Sequence, residues 1–351
     1  PVICALICIS ACKQKPLVTV DRGFYCWKTT LQLTTSEAAA LQQLEVKKLY
    51  VKFFDVEWNE EQSSAQPVAK LSIDSASLQQ LKKQQIQILP VVFITNEALT
   101  KLDTIAGNEL AIKIMKLLLE MLQKNQLNQV PEFQLDCDWT VSTKDTYFSL
   151  VNTVKQLLHE DKKTFADTAI LSATIRLHQV KYSSKSGIPP VDRGLLMCYN
   201  MGNLKNPATN NSILETDELK KYLGGLQHYP LPLDYALPVF NWYVLYRNGQ
   251  YKGIVYQIPK EELNSNFGEW RKNRFTFQKD TILNGINFQA QDQLRLEENT
   301  ADELLQAADY IIRQSSAQNQ HFTVSFYHLD QLLLTKHPIH ELETIYRKFY
   351  Q

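Results

Sequence analysis

Strand-like and helix-like stretches alternate along this chain, and that alternation limits its fold more than any other feature. Eight stretches read as strands: 23–27, 48–58, 86–95, 131–138, 169–179, 191–200, 235–243 and 322–329. Helices are expected over 37–44, 77–85, 108–124, 144–160, 216–226, 301–313 and 339–349. The alternation argues for a parallel sheet, because parallel neighbours need crossover connections. A count of eight favours a closed (β/α)8 barrel, a TIM barrel, over an open sheet. The third stretch, Ile86 to Thr95, is almost continuously apolar, as a strand covered on both faces should be. The polar residues 62–67 read as a loop. Beyond the seventh strand the rhythm breaks, and further strand-like pieces occur at 253–258, 274–279 and 285–295. A small β-rich insertion over about 248–297 is therefore expected.

Within this frame the stretch FQLDCDWT, Phe133 to Thr140, carries the chemistry. Phe133, Leu135 and Cys137 point one way; Gln134, Asp136 and Asp138 point the other. Two carboxylates thus share one face near the strand's C-terminal end. Charges on a buried strand are costly unless paired or hydrogen-bonded. Asp136 and Asp138 are either a structural ion pair or strand-exit cap, or an active-site or ligand-binding pair. In a barrel the reactive residues sit where strands meet their following loops. Those positions hold Trp27, Asp55, Glu57, Asn96, Asp136, Asp138, Arg176, His178, Tyr199, Asn200, Asn241, Trp242, His328 and Asp330. Carboxylates, amides and an arginine among aromatic rings suit a sugar, whose apolar faces stack on rings while its hydroxyls take polar partners.

Lys+Arg and Asp+Glu are equal at 37 each, and no basic stripe points to nucleic acid. No segment reaches the roughly 18 consecutive apolar residues of a membrane span. The opening run PVICALICISAC ends in Ile9-Ser10-Ala11-Cys12 and is followed by Lys13-Gln14-Lys15. It looks like the end of a bacterial lipoprotein signal, with Cys12 as lipid acceptor. On this reading 1–11 is signal peptide, 12–21 a lipidated tether and 22–351 the barrel. The chain would then be anchored to a membrane of the bacterial cell envelope, facing the periplasm or the cell surface. Cys26, Cys137 and Cys198 have no zinc-like spacing and are expected in the core, facing away from the carboxylates.

Four pieces then resemble one family in the right order. FQLDCDWT resembles the fourth-strand motif D-x-x-D-x-D-x-E of the chitinase-like, family-18 glycoside hydrolase barrels. MCYN at 197–200 resembles their sixth-strand M-x-Y-D, LPVFNW at 237–242 their seventh strand, and FYHLDQ at 326–331 their eighth. The wording is closer still to a group of bacterial glycosidase-like lipoproteins. The resemblance implies a glycan ligand or substrate, N-acetylhexosamine-containing or related, and no metal or organic cofactor. It assigns Asp138 and Tyr199 to orienting a substrate N-acetyl group that serves as nucleophile, and Tyr327 to the aromatic floor under the sugar. Two departures matter. Thr140 stands where the family has its general-acid Glu, and Phe133 where it has the first Asp.

Three functions follow. A glycoside hydrolase needs a substitute acid, with Glu57 first and Asp138 second, beside Asp136 and Tyr199. A non-catalytic glycan-binding surface lipoprotein fits the loss of the acid. Another hydrolase or lyase on the same scaffold would use Arg176 and His178, both expected to point inward. Substrate contacts are expected from Trp27, Asp55, Arg176, His178, Asn200, Asn241, Trp242 and Tyr327.

Overall fold

A computed structural model describes residues 18–256, 258–316 and 319–350. Eight parallel strands close on themselves: β1 Thr19–Cys26, β2 Lys48–Asn59, β3 Gln87–Ile94, β4 Val130–Cys137, β5 Phe165–Arg176, β6 Arg193–Met197, β7 Leu233–Pro238 and β8 His321–Tyr327. Closure comes from β1, which pairs with β8 from Thr19↔His321 to Phe24↔Phe326 and with β2 from Gly23↔Lys48 to Cys26↔Val51. Helices follow the strands and cover the outside, so the fold is the expected (β/α)8 barrel. β1 begins inside the stretch 12–21 that reads as a tether. Cys12 and the expected signal lie outside the described residues.

Local chemistry sets several of the helix starts. The helix Thr104–Lys124 starts four residues before the expected Asn108 because Asp103 caps it, accepting from the Ala106 N–H at 2.8 Å. Thr34 and Glu37 form a capping box before Thr35–Gln43, and Thr300 and Glu303 do the same before Ala301–Gln314. Cys26, Cys137 and Cys198 are free thiols in the core, as their strand positions imply.

Three expectations are corrected. Residues 62–67 are no loop: Ser64–Val68 is a strand antiparallel to the end of β2, pairing from Asp55↔Val68 to Asn59↔Ser64. β5 stops at Arg176, and Leu177–Lys181 is a helix. The side-chain carbonyl of Gln179 accepts from the Arg176 N–H at 2.8 Å and its amide donates to the Trp139 carbonyl at 3.1 Å, which turns the chain out of the sheet. β7 ends at Pro238, and Trp242–Arg247 joins a separate five-stranded sheet with Gln250–Val255, Gly268–Arg271, Arg274–Phe277 and Gln293–Glu297. This sheet has its own core, with Phe275, Phe277, Phe288 and Leu294 fully buried.

The barrel interior is polar along its whole height. β4 sends Glu132, Gln134 and Asp136 inward in ascending order, while Phe133, Leu135 and Cys137 pack outward. At mid-height Gln134 accepts from the Tyr25 hydroxyl and donates to Ser172 Oγ at 3.2 Å. At the N-terminal end Ser172 Oγ donates to Glu132 at 2.7 Å, with Lys48 Nζ 3.9 Å from the same carboxylate. Beside it Asp234 Oδ1 accepts from Arg193 at 3.0 Å and from the Thr323 N–H at 2.7 Å.

Candidate active site

At the C-terminal mouth the barrel opens into a cavity of about 390 Å³. Its lining includes Trp27 beyond β1, Phe93 of β3, Asp136 of β4, Arg176 at the end of β5, and Tyr199 and Asn200 after β6. Phe240, Asn241 and Trp242 come from the β7 exit, Tyr327 and His328 from the end of β8, and Tyr256 from the insertion. The rings form a continuous network. Tyr327 lies 5.8 Å from Trp27, 5.4 Å from Tyr199 and 5.6 Å from Phe240, centroid to centroid, and Trp242 lies 5.1 Å from Phe240. Beneath them Tyr25 continues the network, stacked on Tyr50 at 4.9 Å.

The two aspartates take different environments. Asp136 sits in the cavity floor, where Thr174 Oγ1 donates to it at 2.6 Å. Burial, then repulsion from Asp138, pushes its carboxyl up from the usual 3.8 to about 6. Asp138 lies one residue past the strand and is gripped by Arg176, whose Nε and Nη2 bond its two oxygens side by side. Burial works against the Arg176 charge, but the bonds to Asp138 outweigh it and raise its pKa further above the ordinary range. Both oxygens of the Asp138 carboxylate are thus taken up as acceptors in the fork. Tyr199 and Tyr327 are pushed up by burial and stay protonated. Burial pushes His328 down against the opposing pull of Asp330, so its ring is neutral at neutral pH. Its Nδ1 is shut from solvent with no hydrogen-bond partner.

The cavity thus gathers Trp27, Asp136, Arg176, Tyr199, Asn200, Asn241, Trp242 and Tyr327. Asp138 stands behind Arg176. Asp55 is buried to the side, with Lys52 Nζ bonded to it at 2.7 Å and lying 5.4 Å from the centre of the Trp27 ring. Two candidates fall away from the cavity. Glu57 is exposed opposite Gln66, because β2 runs on beyond the barrel into its hairpin with 64–68. His178 is exposed because the chain has already turned into helix there. Thr140, at the family's acid position, is an exposed turn residue whose hydroxyl meets Ser142 and Thr143 at 2.9 and 3.3 Å. Sequence reasoning missed Phe93, Met197, Phe240 and Tyr256. Phe93 is hidden in an unbroken apolar run and Tyr256 in the insertion, where no strand count places it over the mouth. Among the described residues no cluster of three or more His, Cys, Asp or Glu could hold a metal ion.

No protein-family model matches the chain, and no curated protein does. Solved structures do. The spore cortex-lytic enzyme SleL of Bacillus cereus superposes with a TM-score of 0.57 at 12% identity, over 95% of this chain and 75% of that one. A chitinase from Chromobacterium violaceum gives 0.55 at 11%, over 95% and 98%. A chitinase from Bacteroides thetaiotaomicron gives 0.55 at 13%, over 94% and 97%. The chain has the fold of these chitinase-like barrels.

Proposed function

We propose that this protein binds an N-acetylhexosamine-containing glycan in the cavity at the barrel mouth. The observation that carries this reading is a ring-walled cavity with a buried carboxyl and a fixed guanidinium at its floor. Trp27, Tyr327 and Trp242 offer faces for the C–H side of a pyranose. Asn200 and Asn241 offer amides to its hydroxyls. The ordinary two-carboxylate scheme of glycoside hydrolysis needs an acid beside the leaving oxygen. Thr140 cannot supply it, Glu57 is exposed and off the cavity, and Asp138 is tied up by Arg176. Retention of a glycan without cleavage is therefore the first reading.

A second reading rests on Asp136. A carboxyl held up to about 6 inside the cavity carries a proton at mildly acidic pH and is a candidate donor to a glycosidic oxygen. Tyr199 would then orient the N-acetyl group, while Asp138 fixes Arg176 from outside the cavity lining. The experiment is reducing-end release and calorimetric binding by the chain from Pro16 to Gln351, over a panel of N-acetylhexosamine oligomers, beside Asp136→Asn. Binding without release supports the first reading. Release that Asp136→Asn abolishes supports the second. Neither binding nor release rules out both.

Attachment to the cell envelope through Cys12 is a proposal supported by the sequence alone. Incorporation of labelled palmitate that Cys12→Ala abolishes is the expected result; equal labelling of both forms would contradict it.

A further inference from the structure

The insertion contains an ion pair whose two side chains are fully shut from solvent, Arg295 and Glu297. Arg295 Nε donates to Glu297 Oε1 at 2.7 Å. Arg295 Nη1 donates to the Asn206 carbonyl at 3.0 Å, and the guanidinium lies 5.1 Å from the centre of the Tyr246 ring. The other Glu297 oxygen, Oε2, has two donors of its own. It accepts from the Trp242 indole Nε1 at 2.7 Å and from the Ser212 hydroxyl. Trp242 and Glu297 are also direct partners in the antiparallel ladder. One carboxylate thus ties together the insertion, the loop after β6 and a ring that lines the cavity.

Stability does not explain this arrangement well. A buried ion pair is commonly no more stabilising than apolar side chains of the same volume. What the pair does provide is a fixed acceptor. The indole has a single donor and no acceptor. With that donor satisfied inside the wall, the orientation of the ring is set and its apolar surface is left to the cavity. Arg295 holds the carboxylate in place.

We propose that Glu297 is a positioning residue for the sugar site. It fixes Trp242, and through Ser212 the loop after β6, so that the insertion side of the cavity is built before the glycan arrives. This rests on the sugar-binding reading. It adds that the insertion takes part in recognition through a side chain that does not line the cavity.

The test compares Glu297→Ala and Glu297→Gln, alone and with Trp242→Phe, which keeps a ring and removes the N–H. Two readouts are taken: hydrogen exchange of the Trp242 indole N–H by NMR, and affinity for N-acetylglucosamine oligomers. Glu297→Ala is expected to speed indole exchange and to weaken binding by about tenfold, the scale of one lost buried hydrogen bond. Glu297→Gln keeps an acceptor and should restore most of both. In the Trp242→Phe background the affinity loss should shrink below about twofold, because the effect passes through the indole. Should Glu297→Ala fail to fold, Arg295→Met with Glu297→Leu removes the acceptor without stranding a charge, and the same exchange and affinity changes are expected. Unchanged indole exchange, or an equal affinity loss in both Trp242 backgrounds, overturns the proposal. Absence of glycan binding by the unaltered chain overturns the sugar reading and the recognition role with it. Indole exchange then reports separately whether Glu297 holds Trp242.

Discussion

β4 presents a carboxyl group at each end of the same barrel, and the two ends differ in what surrounds it. At the N-terminal end Glu132 meets Ser172, Lys48 and, through space, Asp234 with its Arg193 partner. At the C-terminal end Asp136 meets Thr174, Arg176 and Asp138, but above it lies a cavity of about 390 Å³ ringed by aromatic side chains. Both carboxyls are pushed up by burial and by a neighbouring carboxylate, to about 7 for Glu132 and about 6 for Asp136. A perturbed carboxyl alone therefore does not mark a site. Access and a complementary wall do.

The largest effect should come from the closed end. Asp234→Ala removes the partner of Arg193 and the acceptor of the Thr323 N–H inside the barrel. Loss of about 3 kcal/mol, the lower end for a broken buried pair, is expected by urea unfolding. Glycan affinity of the fraction that remains folded should be unchanged. An affinity loss matching that of a cavity variant would erase the distinction between the two ends.

Next in size is Arg176→Met at the open end. The pair with Asp138 is partly exposed, so stability should drop by only about 1 kcal/mol. Glycan binding should weaken by about tenfold or more, on the scale of a lost charge-assisted hydrogen bond. Calorimetry beside thermal unfolding separates the two effects.

The pH dependence treats both ends alike until a ligand is added. Each folded carboxyl holds its proton to a higher pH than in the unfolded chain. Their contribution to stability is full below the ordinary carboxyl range, and is lost as pH rises through about 6 for Asp136 and about 7 for Glu132. Unfolding midpoints in urea should fall between pH 4.5 and 7.5, and Asp136→Asn and Glu132→Gln should each flatten part of that slope. A midpoint that rises over this range would contradict the burial assigned to both groups.

The smallest effect is expected from Glu57→Gln. Glu57 is exposed on the hairpin beyond the mouth, so affinity, any hydrolysis and stability should stay within error. A hundredfold loss of activity would return Glu57 to the list of candidate acids.

The barrel was legible because strand and helix periods alternate cleanly, and because the apolar and polar faces of β4 and β5 follow a period of two. The inward Asp136, Arg176 and the rings at strand exits follow from the same period, whereas Asp138 lies one residue past β4 and outside the cavity lining. Misreadings arose where that period continued past the end of a barrel strand. At β5, Leu177 is buried and His178 exposed, a contrast that a helix turn produces as readily as a strand. At β7, LPVFNWY reads as one strand, yet Pro238 ends the barrel pairing and Trp242 opens another sheet. At β2, the alternation runs straight through into the hairpin that carries Glu57 away. The link from Glu297 to Trp242 spans 55 residues and follows from the register of the insertion sheet, which no local pattern encodes.

The most direct measurement of the difference between the two ends is a carboxyl-detected NMR titration with N-acetylglucosamine oligomers. Saturating sugar is expected to shift the Asp136 and Asp138 carboxyl signals and move the titration of Asp136, while Glu132 and Asp234 stay in place. Equal shifts at both ends, or no shift at Asp136 with sugar demonstrably bound, would contradict a sugar site at the barrel mouth.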